Sequence, residues 1–242
     1  MIDKIFSFLA GLFIVHGAHP GFQVKDNRVF YKSCNEGSGC SMVVLKQLNS
    51  AALHIFSSTG YASDGQSVYY GTQRLQGVDA KTFTPIGHCW AKDRKHVFQH
   101  NRLVQGADAS TFRPLYATQG DDCTFGVDKQ HIVIGNEIFL ACDASSLHLI
   151  KYAPTWQADK QCLYYEGRKI QQADPATFTA ILTKDKVFTG FAKDKNQVYY
   201  MGKVVKHADS GSFRVASPMC VRDNHHFYAL DGKVVAASRC GV

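Results

Sequence analysis

No low-complexity run interrupts this 242-residue chain, and charge of neither sign gathers into a block. The first absence argues against a disordered tail or linker. The second argues against a nucleic-acid binder: a net charge of +7 spread through the chain lacks the concentrated basic stripe that tracks phosphates. No apolar stretch reaches the length of a comfortable membrane span. A Gly-rich phosphate loop, a G-x-S-x-G nucleophile turn, C-x-x-C pairs and zinc-like spacing among the histidines are missing as well. These absences point away from catalysis. The sequence offers no catalytic residue, no cofactor-binding residue and no metal ligand set, so the expectation is a non-enzyme without a cofactor.

What is present is a repeat. Two aspartates fifteen residues apart recur five times: Asp64/Asp79, Asp93/Asp108, Asp128/Asp143, Asp159/Asp174 and Asp194/Asp209. An aromatic residue leads each pair (Tyr61, Trp90, Phe125, Trp156, Phe191), and Ser or Thr with a large apolar residue follows. The leading aromatic and that apolar residue stay twenty-two apart: Tyr61/Phe83, Trp90/Phe112, Phe125/Leu147, Trp156/Phe178 and Phe191/Phe213. A fixed period means one small unit stacked on copies of itself.

Within residues 61–86, short runs such as Val68-Tyr69-Tyr70 and Arg74-Leu75-Gln76-Gly77-Val78 are bounded by turn residues and are too short for helices. Phe83 to Ile86 reads as the unit's fourth strand. The fold class is therefore all-β, with about seven tandem β-hairpin or meander repeats starting near residues 22, 61, 90, 125, 156, 191 and 220. They form a propeller-like ring or an open, curved β-hairpin solenoid. The last unit stops near Ser238, ahead of its final strand. Residues 18–242 make one β-repeat domain, and the connections at Tyr116–Thr124 and Thr183–Gly190 are its individual features.

Residues 1–17 read as a signal peptide. Lys4 precedes the apolar run from Ile5 to Val15, and Val15-His16-Gly17 offers a cleavage site. A buried N-terminal strand or helix and an uncleaved anchor are the competing readings. Eight cysteines agree with export: Cys34, Cys40, Cys89, Cys123, Cys142, Cys162, Cys220 and Cys240. All are disulfide candidates. Cys34 and Cys40 bracket a Gly-rich loop, Cys89 and Cys123 both sit just ahead of a leading aromatic so that stacking would bring them near each other, and Cys220 with Cys240 could clip the last unit. The competing reading is a set of reduced, buried small hydrophobes.

Phe191-Ala192-Lys193-Asp194-Lys195-Asn196-Gln197-Val198-Tyr199-Tyr200 and the segment to Asp209 closely resemble the DKNYY repeat family. Gly106-Ala107-Asp108-Ala109-Ser110-Thr111-Phe112 matches the continuation of that pattern. The third unit departs from it, with Ile132-Val133-Ile134 in place of the tyrosines. The resemblance implies a bacterial, often exported repeat protein without an established activity, and carries over no catalytic residue.

Weighed singly, the aspartates of both columns, from Asp26 to Asp223, suit Asx-turns better than calcium, because none sits in a dense acidic loop. No metal-ligand spacing links His88, His96, His100, His131, His148, His207 and His225-His226. His96, Gln130 or His131, and His225 fall in turn positions where solvated side chains are expected, and Asp121-Asp122 suits a solvated turn as well. In each tyrosine pair one ring should face the core and the other solvent. Tyr70, Tyr165 and Tyr200 are the candidate binding residues. The expected function is a non-catalytic protein-binding protein, periplasmic or secreted, of the kind that neutralises a cognate toxin or contacts an envelope component. The alternative is a carbohydrate or peptidoglycan binder using those tyrosines. Neither reading involves nucleic acid, nor a stable transmembrane span if the signal is cleaved.

Overall fold

The computed structural model describes residues 21–35, 39–87, 89–116 and 123–241. The expected signal peptide at residues 1–17, residues 36–38 between Cys34 and Cys40, His88 and Asp121-Asp122 lie outside the described residues.

Short β-branched and aromatic runs, each closed by a turn, can only pair with their chain neighbours, and that is what they do. The described residues form seven small antiparallel sheets in tandem, joined by turns and three single-turn 3-10 segments; among them there is no α-helix. Two compact units divide the chain. The first ends at Arg74 and the second begins at Leu75.

The first unit holds two sheets. Sheet one has three strands, Gly21–Lys25, Arg28–Asn35 and Gly39–Val44. Its first hairpin turns on Asp26 and Asn27, both with positive φ (48° and 55°), the geometry that follows the twist of a two-residue loop. Asp26 is thus a hairpin residue and does not form the Asx-turn expected of it. Sheet two has four strands between His54 and Arg74.

The second unit holds sheets three to seven, spanning 84–104, 113–140, 148–169, 179–204 and 214–235, each with four strands in chain order. Here the hydrogen bonding corrects the expected strand grouping. The strand after each second-column aspartate pairs forward with the next leading aromatic strand. Thr84–Pro85 pairs with Trp90–Lys92, Arg113–Leu115 with Phe125–Val127, and Thr179–Leu182 with Phe188–Lys193. The sheet is therefore offset by one strand from the sequence repeat. The offset also completes the last sheet: Arg214–Ser217, Cys220–Arg222, Phe227–Ala229 and Val234–Val235 make four strands, where the sequence suggested a truncated unit.

The leading rings lie at the centre of the packing. Trp90, Phe125, Trp156 and Phe191 are buried. Their partners twenty-two residues on lie against them: ring centroids are 5.0 Å apart for Trp90/Phe112, 4.9 Å for Trp156/Phe178 and 5.5 Å for Phe191/Phe213. Phe125 and Leu147 share one cluster. Each cluster draws on two consecutive sheets, as with Trp156 and Leu163 against Ala192 and Tyr199. Burying one such ring contributes about 2–3 kcal/mol, and it needs a neighbour to do so.

Candidate functional site

The two aspartate columns are one device. Each first-column carboxylate from Asp64 to Asp223 closes a four-residue turn by accepting the N–H groups two and three residues on at Oδ1. Asp93 takes those of Lys95 and His96 at 2.7 Å each, Asp194 those of Asn196 and Gln197 at 2.7 and 2.8 Å, and Asp223 those of His225 and His226 at 2.7 and 2.6 Å. Its Oδ2 then accepts the backbone N–H of the preceding second-column residue. The pairs are Asn49 to Asp64, Asp79 to Asp93, Asp108 to Asp128, Asp143 to Asp159, Asp174 to Asp194 and Asp209 to Asp223, at 2.8–3.0 Å. The Ser or Thr three residues after the second aspartate accepts an N–H from the same turn, as Thr177 does from Lys195. Apart from Asp26, both columns are Asx-turns, as the sequence suggested, and they staple each connecting segment to the following hairpin.

A further bond was not read from the sequence. In sheets five, six and seven the core-facing tyrosine five residues after the first aspartate donates its hydroxyl to Oδ2: Tyr164 to Asp159 and Tyr199 to Asp194 at 2.6 Å, and Tyr228 to Asp223 at 3.0 Å, whereas Tyr69 of sheet two donates to Gln47 Oε1 at 3.4 Å. Where that position is Phe98 or Val133, a histidine three residues after the aspartate faces the carboxylate instead, with Nδ1 of His96 and His131 each 3.1 Å away. Burial alone would raise these carboxyls. The surrounding N–H and O–H donors outweigh it and hold Asp64, Asp93, Asp128, Asp159, Asp194 and Asp223 below the ordinary aspartate range. Burial, then the adjacent carboxylate, pushes the hydroxyls of Tyr164, Tyr199 and Tyr228 far above their usual value.

The candidate tyrosines Tyr70, Tyr165 and Tyr200 are the other members of each pair and are half-buried. Each lies across its sheet's leading aromatic: 4.9 Å from Tyr61, 5.1 Å from Trp156 and 4.7 Å from Phe191, centroid to centroid. Tyr165 and Tyr200 also cover a glycine of the following sheet. A Cβ on Gly202 or Gly232 would stand 2.6 Å from the ring, and both glycines have positive φ. Tyr165 and Tyr200 are therefore each a seam between neighbouring sheets of the second unit.

All eight cysteines pair: Cys34–Cys40, Cys89–Cys123, Cys142–Cys162 and Cys220–Cys240. His100 lies beside the second bridge. Both sulfurs there are joined to each other, which removes the thiolates a zinc site would use.

The chemistry that does converge lies where the repeat departs from its pattern. Ile134 occupies the place of Tyr165 and Tyr200 in sheet four, and Phe139 from the next strand reaches over Gly167 in its stead. A cavity of about 370 Å³ opens beside them, with Phe125 and Pro154 on its floor and Glu137, Glu166 and Arg168 at its mouth. The Arg168 guanidinium sits 5.5 Å above the Phe139 ring. Sequence reasoning missed this cavity, although the departure at Ile132-Val133-Ile134 was its visible signal.

A family model described as the DKNYY family matches residues 6–102 and 90–232. The chain belongs to the DKNYY family. In this DKNYY chain the motif at sheet six has a geometric role: Asp194 closes the turn, Tyr199 bonds it, and Tyr200 packs on Gly232 of the following sheet. No curated protein and no solved structure matches the chain.

Proposed function

We propose that this DKNYY protein is a non-catalytic binding protein of the bacterial envelope, periplasmic or secreted, that engages another protein in the manner of an immunity protein holding a cognate toxin. One observation carries the reading. The polar groups that recur along the repeats are bound to the fold itself: aspartates to backbone N–H groups, and Tyr164, Tyr199 and Tyr228 to aspartates. That leaves a stapled, stiff scaffold whose variable surface is free to specify a partner. Four disulfides support an oxidising compartment. Among the described residues no helix is long and apolar enough to cross a membrane.

The toxin-neutralising role extends this by fold-level analogy. It is tested by co-expressing the chain with the products of adjacent genes. A stable complex that also protects cells from one of those products supports the role, and absence of any complex sinks it. The glycan alternative is less favoured, because Tyr165 and Tyr200 have rings covered by a leading aromatic and a glycine. Glycan retention that disappears in the Tyr70→Ala/Tyr165→Ala/Tyr200→Ala triple variant would restore it.

A further inference from the structure

The cavity beside Gly167 differs in charge from the rest of the molecule. The sequence contains three glutamates, Glu36, Glu137 and Glu166, in a chain of net charge +7, and two of them stand at the mouth of this one cavity. Both are exposed, and among the described residues neither carboxylate makes an ion pair or a side-chain hydrogen bond. By contrast, the repeat aspartates Asp108 and Asp174 hold lysines at 2.8 and 2.6 Å. Glu166 also adopts φ 49° in its turn, where sheets two and four have Gly71 and Gly135. The positive charge nearby, Arg168, is drawn onto the face of Phe139. The mouth therefore carries two free carboxylates against one engaged guanidinium, over an apolar floor of Phe125, Ile134 and Pro154.

We propose that this cavity anchors a basic side chain, lysine or arginine, of the protein partner. The alkyl stem lies on the apolar floor while the cation reaches the carboxylates of Glu137 and Glu166. A cavity of about 370 Å³ has room for such a chain, and arginine is prominent among the residues that dominate protein interfaces. A sugar ring fits less well, since stacking needs an open aromatic face: Arg168 takes that of Phe139, and Phe125 is buried. The inference rests on the protein-binding reading above and gives it a specific contact.

The test uses the full chain, labelled with ¹⁵N, and three small probes: N-acetyl-arginine amide, N-acetyl-lysine amide and the neutral isostere N-acetyl-citrulline amide. Saturable amide shifts at Glu137, Glu166 and Gly167 are expected with the two cations. Citrulline should bind about fivefold more weakly, the equivalent of about 1 kcal/mol for a solvent-accessible ion pair. The preference for the two cations over citrulline should vanish in Glu137→Gln/Glu166→Gln, whose exposed sites leave the fold intact. Saturable binding of all three probes should vanish in Ile134→Tyr, which installs the residue that sheets two, five and six carry. No saturable shift, an equal citrulline response, or a preference for the cations that survives the double variant would overturn the proposal. A second arm separates it from the broader reading. If the partner complex forms equally well with the double variant, the chain binds proteins but not through this cavity, and the inference alone fails. If the native chain forms no complex, the protein-binding reading falls and takes the partner with it, whatever the probes do.

Discussion

Asp194 cannot be replaced even by its own amide. All four of its partners are donors: the N–H groups of Asn196, Gln197 and Asp174, and the Tyr199 hydroxyl. An asparagine would turn an NH₂ group toward two of them. Asp194→Asn should therefore destabilise the protein by about 2–4 kcal/mol in a denaturant titration. Tyr199→Phe removes one bond to a charged acceptor and should cost about 1.5 kcal/mol. Sheets three and four suggest its rescue, since they use His96 and His131 where the tyrosine is absent. Gln197 occupies that position in sheet six, with its Oε1 buried and unpartnered. Adding Gln197→His to Tyr199→Phe should recover part of the loss; no recovery would show that the histidines do not substitute for the hydroxyl. The same groups set the pH response. The six first-column carboxyls are held below their unfolded value, near 3.9. Their contribution is complete above that value and is lost as pH falls through the lower folded one. The hydroxyls of Tyr164, Tyr199 and Tyr228 are raised, so theirs is complete below the unfolded tyrosine value near 10 and is lost above it. Thermal midpoints should be flat from about pH 5 to pH 9 and fall on both sides.

Hairpins and their seams are the next scale up. Gly202, with φ 77° and the Tyr165 ring where its Cβ would stand, lets one sheet seat on the previous one. Gly202→Ala should cost at least about 1–3 kcal/mol, because it combines a left-handed backbone with overpacking; a melt unchanged from the parent would mean the ring can swing aside. The element level also shows what the sequence made legible. Strand runs, turns and both Asx columns were readable because they depend on residues within three or four positions. The sheet offset was not, because Thr84–Pro85 is equally strand-like whether it closes one hairpin or opens the next. Asp26 looked like the other first-column aspartates, yet a two-residue loop leaves no room for their four-residue turn. The cavity was half legible: Ile134 marked a missing ring, but only the packing of sheet four on sheet five brings Glu137, Glu166 and Arg168 to the same cavity.

Across the second unit, five sheets repeat one contact scheme, so stability there should be close to a sum of nearest-neighbour terms. Sheet seven caps that series: Val221 and Tyr228 cover Phe191, Val198 and Phe213 of the segment before them. A chain ending after Phe213 removes this cap along with Cys220 and Cys240. Those cysteines bond to each other, so no remaining cysteine loses its partner. The shortened chain keeps the Phe191–Phe213 contact but loses the carboxylate of Asp223 that accepts the Asp209 N–H. Hydrogen exchange then reads the outcome sheet by sheet. If coupling passes only between neighbours, amides of sheet six lose most of their protection, those of sheet five lose less, and those of sheet three hardly change. Equal loss in sheets three and six would mean that the second unit opens as a single cooperative body, and the nearest-neighbour description would fail.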